Sequence, residues 1–417
     1  MSNILEIINS IKGECACGMC HGTAIEDIVI ESGAVNRVGE LLNKNNFPKN
    51  ILLVADKNTL KAADGIISSL SDFNVTMKIY PSIRVAEMHH VEELEALIKD
   101  RDIAVLSVGT GSVNDPCRLA TARQKKKLCI FATAPSMDGF ASYSSPIVKD
   151  GFKESYPAKS PELIIGDTKI LAAAPTELKS SGFGDMIAKY VGLADWKISH
   201  ILTGETYCER VAELTRTAVD ELMLMADRVC SRDEYTAGKI FESLLKTGIG
   251  MSFMQNSRPA SGSEHIVAHL IECKELPEGK IPNLHGEDVG VCTLETLKIY
   301  NTLAEKEKIT AVRESVNWDE VFAYYGNMRP EIERMNFPDN ITDDVNTAVL
   351  EEKWEEIRQI IKSVPSYEEC KSAMEKAGCK TTVEDIEKSR ELFDNCVKYS
   401  PYMRRRLTLL RIINMIK

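Results

Sequence analysis

The chain has 417 residues, 44% of them apolar and 27% charged, and a formal net charge of −11. At about 150 residues per domain this length predicts two or three domains, the composition argues against disorder, and an acidic balance without a block of basic residues argues against a nucleic-acid or anionic-membrane partner. No run reaches the roughly 18 apolar residues of a membrane span, and Glu6 and Glu14 sit where an export signal would be apolar, so a cytoplasmic protein with reduced thiols is expected.

The first motif in chain order is Cys15, Cys17, Cys20 and His21, four metal-binding side chains within seven residues. They have the density of a zinc knuckle, but no second half-site follows downstream, so a reduced structural turn leading into the first strand is the other reading. Residues 25–135 then alternate short β-rich runs with amphipathic stretches. The runs are Ile28–Ile30, Ile51–Val54, Val75–Tyr80, Ile103–Val108 and Leu128–Phe131; the stretches are Ala34–Leu42, Thr59–Leu70, Val91–Ile98 and Val113–Lys125, with Lys125–Lys127 read as a solvated helix end. Apolar strands alternating with helices predict a doubly wound parallel α/β sheet covered on both faces. An Asp-Gly hairpin over Val148–Lys153 and a last strand at Leu163–Asp167 follow. Beyond Pro175 the spacing is helical, as in Val211–Val229, Val345–Ile361 and Arg404–Ile416. We therefore expect an α/β domain over residues 1–175, an all-α domain over residues 176–417, and a site in the cleft between them.

Two features of the first domain suit a dinucleotide. The loop Gly109-Thr110-Gly111-Ser112 follows a strand and opens a helix, where glycines let backbone approach a phosphate and free amides point at it; an ordinary tight turn is the alternative. Asp56 ends a strand where a carboxylate could accept hydrogen bonds from a ribose diol, or could simply cap the next helix. An acid there would repel a ribose 2′-phosphate and favour NAD over NADP. Three of the 7 histidines fall close together: His265 and His269, four apart on one helical face, and His285 at a loop-to-helix junction. With Asp185 at the start of a helix, an aspartate and two histidines would bind a divalent ion and leave positions open for a substrate oxygen.

Gly109-Thr110-Gly111-Ser112 through Asn114-Asp115, Thr133-Ala134-Pro135-Ser136-Met137-Asp138-Gly139, Gly182-Phe183-Gly184-Asp185, Leu193-Ala194-Asp195-Trp196-Lys197, Ser261-Gly262-Ser263-Glu264-His265 and His285-Gly286 together resemble the sn-glycerol-1-phosphate dehydrogenases. The likeness is to the bacterial, AraM-like branch, which belongs with the dehydroquinate synthases and iron-type alcohol dehydrogenases. The resemblance implies reversible reduction of dihydroxyacetone phosphate with NAD(H) or NADP(H) and one divalent metal, zinc or nickel. It implies Asp185, His265 and His285 as metal ligands, with His269 moved to a substrate-side role and Lys189 partnering the cluster. Asp56, Gly109, Thr110, Gly111, Ser112, Thr133, Ser136, Asp138 and Ser142 match its cofactor site. Asp138 and His269 are the expected catalytic residues. Asp138, Asp185, His269 and the cations Lys153 and Arg258 are expected around the substrate, with Lys159 as a further phosphate candidate. A homodimer or higher homo-oligomer is expected. The alternatives are a glycerol dehydrogenase or a dehydroquinate-synthase-like enzyme of the same superfamily, or a nucleotide-binding regulator that has kept the fold. Ile266, where a second histidine is expected after His265, departs from the family pattern.

Overall fold

A computed structural model describes residues 4–417. Helix α1 (Ile4–Ile11) and a short antiparallel hairpin, β1 (Gly13–Glu14) with β2 (Cys20–His21), precede the main sheet. Strands β3 (Asp27–Glu31), β4 (Asn50–Asp56), β5 (Asn74–Tyr80), β6 (Ala104–Gly109), β7 (Leu128–Ala132) and β10 (Leu163–Asp167) form a parallel sheet of six strands. β8 (Ser144–Lys149) and β9 (Phe152–Pro157) form a separate antiparallel hairpin. Its turn residues Asp150 and Gly151 have φ of 51° and 76°, the left-handed pair that a two-residue hairpin turn requires.

The sheet order is β3-β10-β7-β6-β4-β5. The chain thus steps outward from β4 to β5 and then crosses back to β6, so the order reverses between β4 and β6. Ligands of open α/β sheets bind at the carboxyl ends of strands flanking such a reversal. Both faces are covered: Leu53, Val108, Phe131 and Ile165 pack into one apolar core, while Leu52, Val105, Ile130 and Ile164 pack into another. This explains the near-continuous apolar runs of the strands.

The helices on the sheet are α2 (Val38–Lys44), α3 (Lys57–Ala62), α4 (Met88–Ile98) and α5 (Gly111–Arg123). After α6 (Thr168–Ala173) the chain is helical: α7 (Thr176–Ile187), α8 (Lys189–Thr203), α9 (Glu209–Met223), α10 (Glu234–Met254), α11 (Ser263–Glu275), α12 (His285–Ala304) and shorter helices to the end.

Several expected helices are shorter than their periodicity suggested. The stretch Thr59–Leu70 is broken at Gly65, whose φ of +96° no helix accommodates, leaving α3 and a 3₁₀ turn at Ser68–Leu70. Ala34–Leu42 opens as a 3₁₀ turn before α2, and Val345–Ile361 divides between Thr347–Glu352 and Trp354–Lys362. Arg404–Ile416 is helical only over Leu409–Ile412, followed by a 3₁₀ turn at Ile413–Met415. Apolar spacing registers burial on one side, and an irregular buried segment gives the same signal as a helix.

Candidate functional site

A cleft of about 370 Å³ lies between the carboxyl ends of β4 and β6 and the helices α7, α11 and α12. On the sheet side, Thr110, Gly111 and Ser112 line it where α5 begins. No side chain caps that turn, so its first amides are available to an anion. A Cβ on Gly109 would lie 3.0 Å from Val113, so strand and helix pack closely at the turn. Asp56 also lines the cleft, and its Oδ1 accepts from the amides of Asn58 and Thr59, both at 2.8 Å. The cap is therefore real, and it occupies one oxygen. Thr133, Ser136, Asp138 and Ser142 complete this wall.

On the helical side, backbone contact sets the geometry. A Cβ on Gly286 would lie 1.8 Å from the Ser181 carbonyl oxygen, and one on Gly184 would lie 2.3 Å from that of Gly286. Only glycines allow α7 and α12 to touch in this way, and the contact brings Asp185 beside His285. Asp185 Oδ1 lies 3.4 Å from His265 Nε2 and 2.6 Å from Lys189 Nζ, while Oδ2 accepts from the Asp138 amide at 2.9 Å. Lys189 also reaches Asp138 Oδ2 at 2.7 Å, so one ammonium is shared by two carboxylates. His265 Nδ1 is 2.6 Å from Glu264 Oε1. With that nitrogen donating to the carboxylate, Nε2 would offer its lone pair to an ion seated between the ring and Asp185.

Asp185, His265 and His285 each offer a ligand atom, and these atoms all lie within 4.8 Å of one another. The 3.4 Å edge between Asp185 and His265 is what bonds of about 2.0–2.2 Å to a shared ion would leave at tetrahedral angles. The donor set fits a divalent metal: one carboxylate, two imidazoles, an oriented tautomer, and one side open to the cleft. Burial disfavours a charge on His265, but its contacts with Asp185 and Glu264 raise it above its ordinary value. Burial pushes the Asp185 carboxyl up, but Lys189 and the two imidazoles hold it well below the usual carboxylate range. Burial lowers His285 to about 3 and holds His269 well below its ordinary value, so both are neutral at neutral pH.

His269 completes a ring of imidazoles, its centroid 6.1 Å from His265 and 5.7 Å from His285, but it is not one of the close donors. The spacing of four that pairs it with His265 places it one turn further along α11, on the open side of the cleft. Lys153 on β9 lines the cleft with Nζ 2.7 Å from Glu272 Oε2, and its carbonyl accepts from Arg404 at 2.9 Å. The structure does not bring Arg258 to the lining. Its guanidinium is buried against Glu205, with Nε–Oε1 at 2.7 Å, and donates to the Leu407 carbonyl and Ser199 Oγ. Such a buried cation is already neutralised, with four of its five N–H donors engaged. Lys159 pairs with Glu162, likewise away from the lining. Sequence reasoning missed Glu264 and Glu272 as partners of site residues; adjacency to His265 and the helical spacing to His269 were the available signals.

A family of iron-containing alcohol dehydrogenases matches residues 29–175. A glycerol-1-phosphate dehydrogenase (NAD(P)+) of Bacillus velezensis is 32% identical over 295 residues, covering 68% of this chain and 74% of the relative. One of Bacillus licheniformis is 27% identical over 424 residues, covering 99% and 95%. Among solved structures, an NADH-dependent butanol dehydrogenase A of Thermotoga maritima superposes with a TM-score of 0.63 at 15% identity, covering 96% of this chain and 93% of that one, a likeness of fold.

Proposed function

The chain belongs to the glycerol-1-phosphate dehydrogenase family, and on that premise we propose that its cleft reduces dihydroxyacetone phosphate to sn-glycerol 1-phosphate with NADH or NADPH, reversibly. The observation that carries the reading is the convergence, in one cleft, of an uncapped βα turn at the sheet reversal, the Asp185, His265 and His285 donor set, and the cation Lys153.

When bound, the nicotinamide supplies the hydride and a divalent ion held by Asp185, His265 and His285 supplies Lewis acidity at the ketone oxygen. The protein's own residues do the rest. Gly109, Thr110, Gly111 and Ser112 receive the pyrophosphate on the amides of α5, and Thr133, Ser136, Asp138 and Ser142 hold the nicotinamide half against β7. Lys189 keeps both Asp138 and Asp185 in place and offsets their mutual repulsion. His269, neutral through burial, offers a ring N–H to the substrate oxygens and passes a proton between the product hydroxyl and water in the cleft. Lys153 meets the substrate phosphate by exchanging its Glu272 partner for a more highly charged one. Zinc and nickel both suit two imidazoles and a carboxylate. A cytoplasmic homo-oligomer is the form in which we place the enzyme; among the described residues no helix is long and apolar enough to cross a membrane.

The test is NADH oxidation by metal-stripped protein resupplied with Zn²⁺ or Ni²⁺, with dihydroxyacetone phosphate and dihydroxyacetone as paired substrates. Restored turnover with a strong preference for the phosphorylated ketone, lost in Lys153→Met, is expected, and chiral analysis of the product then fixes its hand. Turnover of neither ketone with NADH or NADPH would sink the assignment.

A further inference from the structure

The four-residue sequence cluster near the N-terminus is rearranged in the fold, and a distant residue completes it. Cys15, Cys17, His21 and Cys208 each direct a donor atom to one place, all of these atoms within 4.8 Å of one another. Cys15 Sγ is 3.7 Å from Cys208 Sγ, while Cys17 Sγ and Cys208 Sγ lie 3.4 and 3.3 Å from His21 Nε2. Local structure explains how. Pairing of β1 with β2 reverses the chain, and the turn closes through bonds from the Gly18 amide to the Cys15 carbonyl and from the Cys15 amide to the Met19 carbonyl. Gly18 has φ of +85°, which a residue with a side chain adopts only under strain. The turn folds Cys15 and Cys17 back over His21. Cys20 precedes His21 on β2 and is exposed where His21 is buried, as strand alternation demands, so it takes no part.

The geometry points to a second, structural metal site in which Cys15, Cys17, His21 and Cys208 hold a zinc ion, separate from the donor set of the cleft. Zn–S bonds of about 2.3 Å and Zn–N bonds of about 2.0–2.1 Å at tetrahedral angles leave edges of about 3.8 Å between sulfurs and about 3.5 Å between sulfur and nitrogen. The 3.7 Å edge between Cys15 and Cys208 and the 3.4 and 3.3 Å edges from Cys17 and Cys208 to His21 lie close to these values. A disulfide would need its sulfurs at about 2.05 Å, far closer than Cys15 and Cys208 stand. The imidazole already has the orientation a ligand needs. His21 Nδ1 is 3.0 Å from the Phe253 carbonyl oxygen, to which it donates, so Nε2 faces the sulfurs with its lone pair. Cys208 is the N-cap of α9, so its Sγ joins the cluster to the start of that helix.

Four protein ligands close the coordination shell, which is the mark of a structural ion, whereas Asp185, His265 and His285 leave a side open. The zinc, taken up with release of the thiol protons, ties the N-terminal hairpin to the start of α9 and, through His21, to the end of α10. That last helix forms one wall beneath the cleft: a Cβ on Gly248 of α10 would lie 2.7 Å from the Asp138 carbonyl oxygen. The site thus braces the helix on which Asp138 rests.

The test uses the full chain purified without chelator. Metal analysis of the wild type is expected to find one zinc per chain more than in Cys17→Ser or Cys208→Ser, with Cys20→Ser equal to wild type. Since those variants can fail to fold, alkylation of the wild type by iodoacetamide is the second arm. Cys15 and Cys17 are only half-buried, so without an ion they would label nearly as fast as exposed Cys20. With zinc bound they are expected to label at least about tenfold more slowly, until a chelator is added. Equal labelling of Cys15, Cys17 and Cys20 in zinc-replete protein, a Cys15–Cys208 disulfide found by mass spectrometry, or unchanged zinc content in folded Cys208→Ser would each overturn the site.

Discussion

Glu264 Oε1 lies 2.6 Å from Nδ1 of the neighbouring His265, and the far nitrogen of that ring faces Asp185 at 3.4 Å. A buried carboxylate behind a ligating imidazole fixes the tautomer and raises its basicity, and losing such a partner typically weakens metal binding about 10–100-fold. Glu264→Gln keeps the shape but not the charge, so about tenfold weaker zinc binding is expected, with Glu264→Ala at the upper end. Competition against a chromophoric chelator measures this directly. Unchanged affinity in both variants would reduce Glu264 to a packing role with its other partner, the Gly262 amide at 2.9 Å.

The approach of α7 to α12 makes a second prediction. In Gly286→Ala the new Cβ would meet the Ser181 carbonyl oxygen at 1.8 Å and the Asp185 amide nitrogen at 3.0 Å. Neither atom belongs to a flexible side chain, so the helices must separate, at a cost of about 1–3 kcal/mol or more. Because Asp185 and His285 sit on the two helices, zinc affinity should fall along with the melting temperature. A variant that melts like the wild type and binds zinc equally would show that the contact yields without moving the site.

How much of this is legible in the sequence depends on the range of each interaction. The strands of the sheet can be read because burial on both faces writes continuous apolar runs, and the Asp150-Gly151 turn because its backbone demands those residues. Asp185 and the three histidines can be nominated by type and context, but spacing pairs His265 with His269, and only the family resemblance puts His285 in its place; the fold brings the donor atoms of Asp185, His265 and His285 together. Arg258 cannot be placed, since its partner Glu205 and the Leu407 carbonyl are set by tertiary packing alone. Cys208 carries no local signal at all: it lies 187 residues from His21, and no periodicity spans such a distance. Asp195, in one of the motifs that carry the family resemblance, accepts from the Ser263 and Leu409 amides and from Tyr300, joining α8, α11, α12 and the C-terminal segment.

That junction has a pH signature. Burial, with Glu264 nearby, pushes the Asp195 carboxyl up to about 6 against the pull of its donors, and Asp115 is likewise raised to about 6. The folded chain therefore holds these protons more tightly than the unfolded chain, whose aspartates titrate near about 3.9. Their contribution is present in full below about pH 4 and is lost as pH rises through about 6, amounting to up to about 3 kcal/mol for each. Asp195→Asn is neutral at every pH. Urea unfolding between pH 4 and 7 should accordingly show a flatter decline with rising pH in the variant than in the wild type. Parallel profiles would mean that Asp195 stays ionised in the fold.

Asp56 separates capping from recognition. Its Oδ1 takes the amides of Asn58 and Thr59, leaving Oδ2 for a ribose diol, and its charge opposes a 2′-phosphate. Serine caps a helix about as well as aspartate does, so Asp56→Ser should leave stability within a few tenths of a kcal/mol while removing the charge. If Asp56 meets the ribose, NADH loses a charge-assisted hydrogen bond and NADPH loses a repulsion. Each change is worth roughly 1.4 kcal/mol, a factor of ten. The ratio of kcat/KM for NADH over NADPH should then fall by about 100-fold, carried mostly by KM. An unchanged ratio at unchanged melting temperature would leave Asp56 as the cap of α3 and nothing more, and the choice between the two nucleotides would then have to be made elsewhere along the cleft.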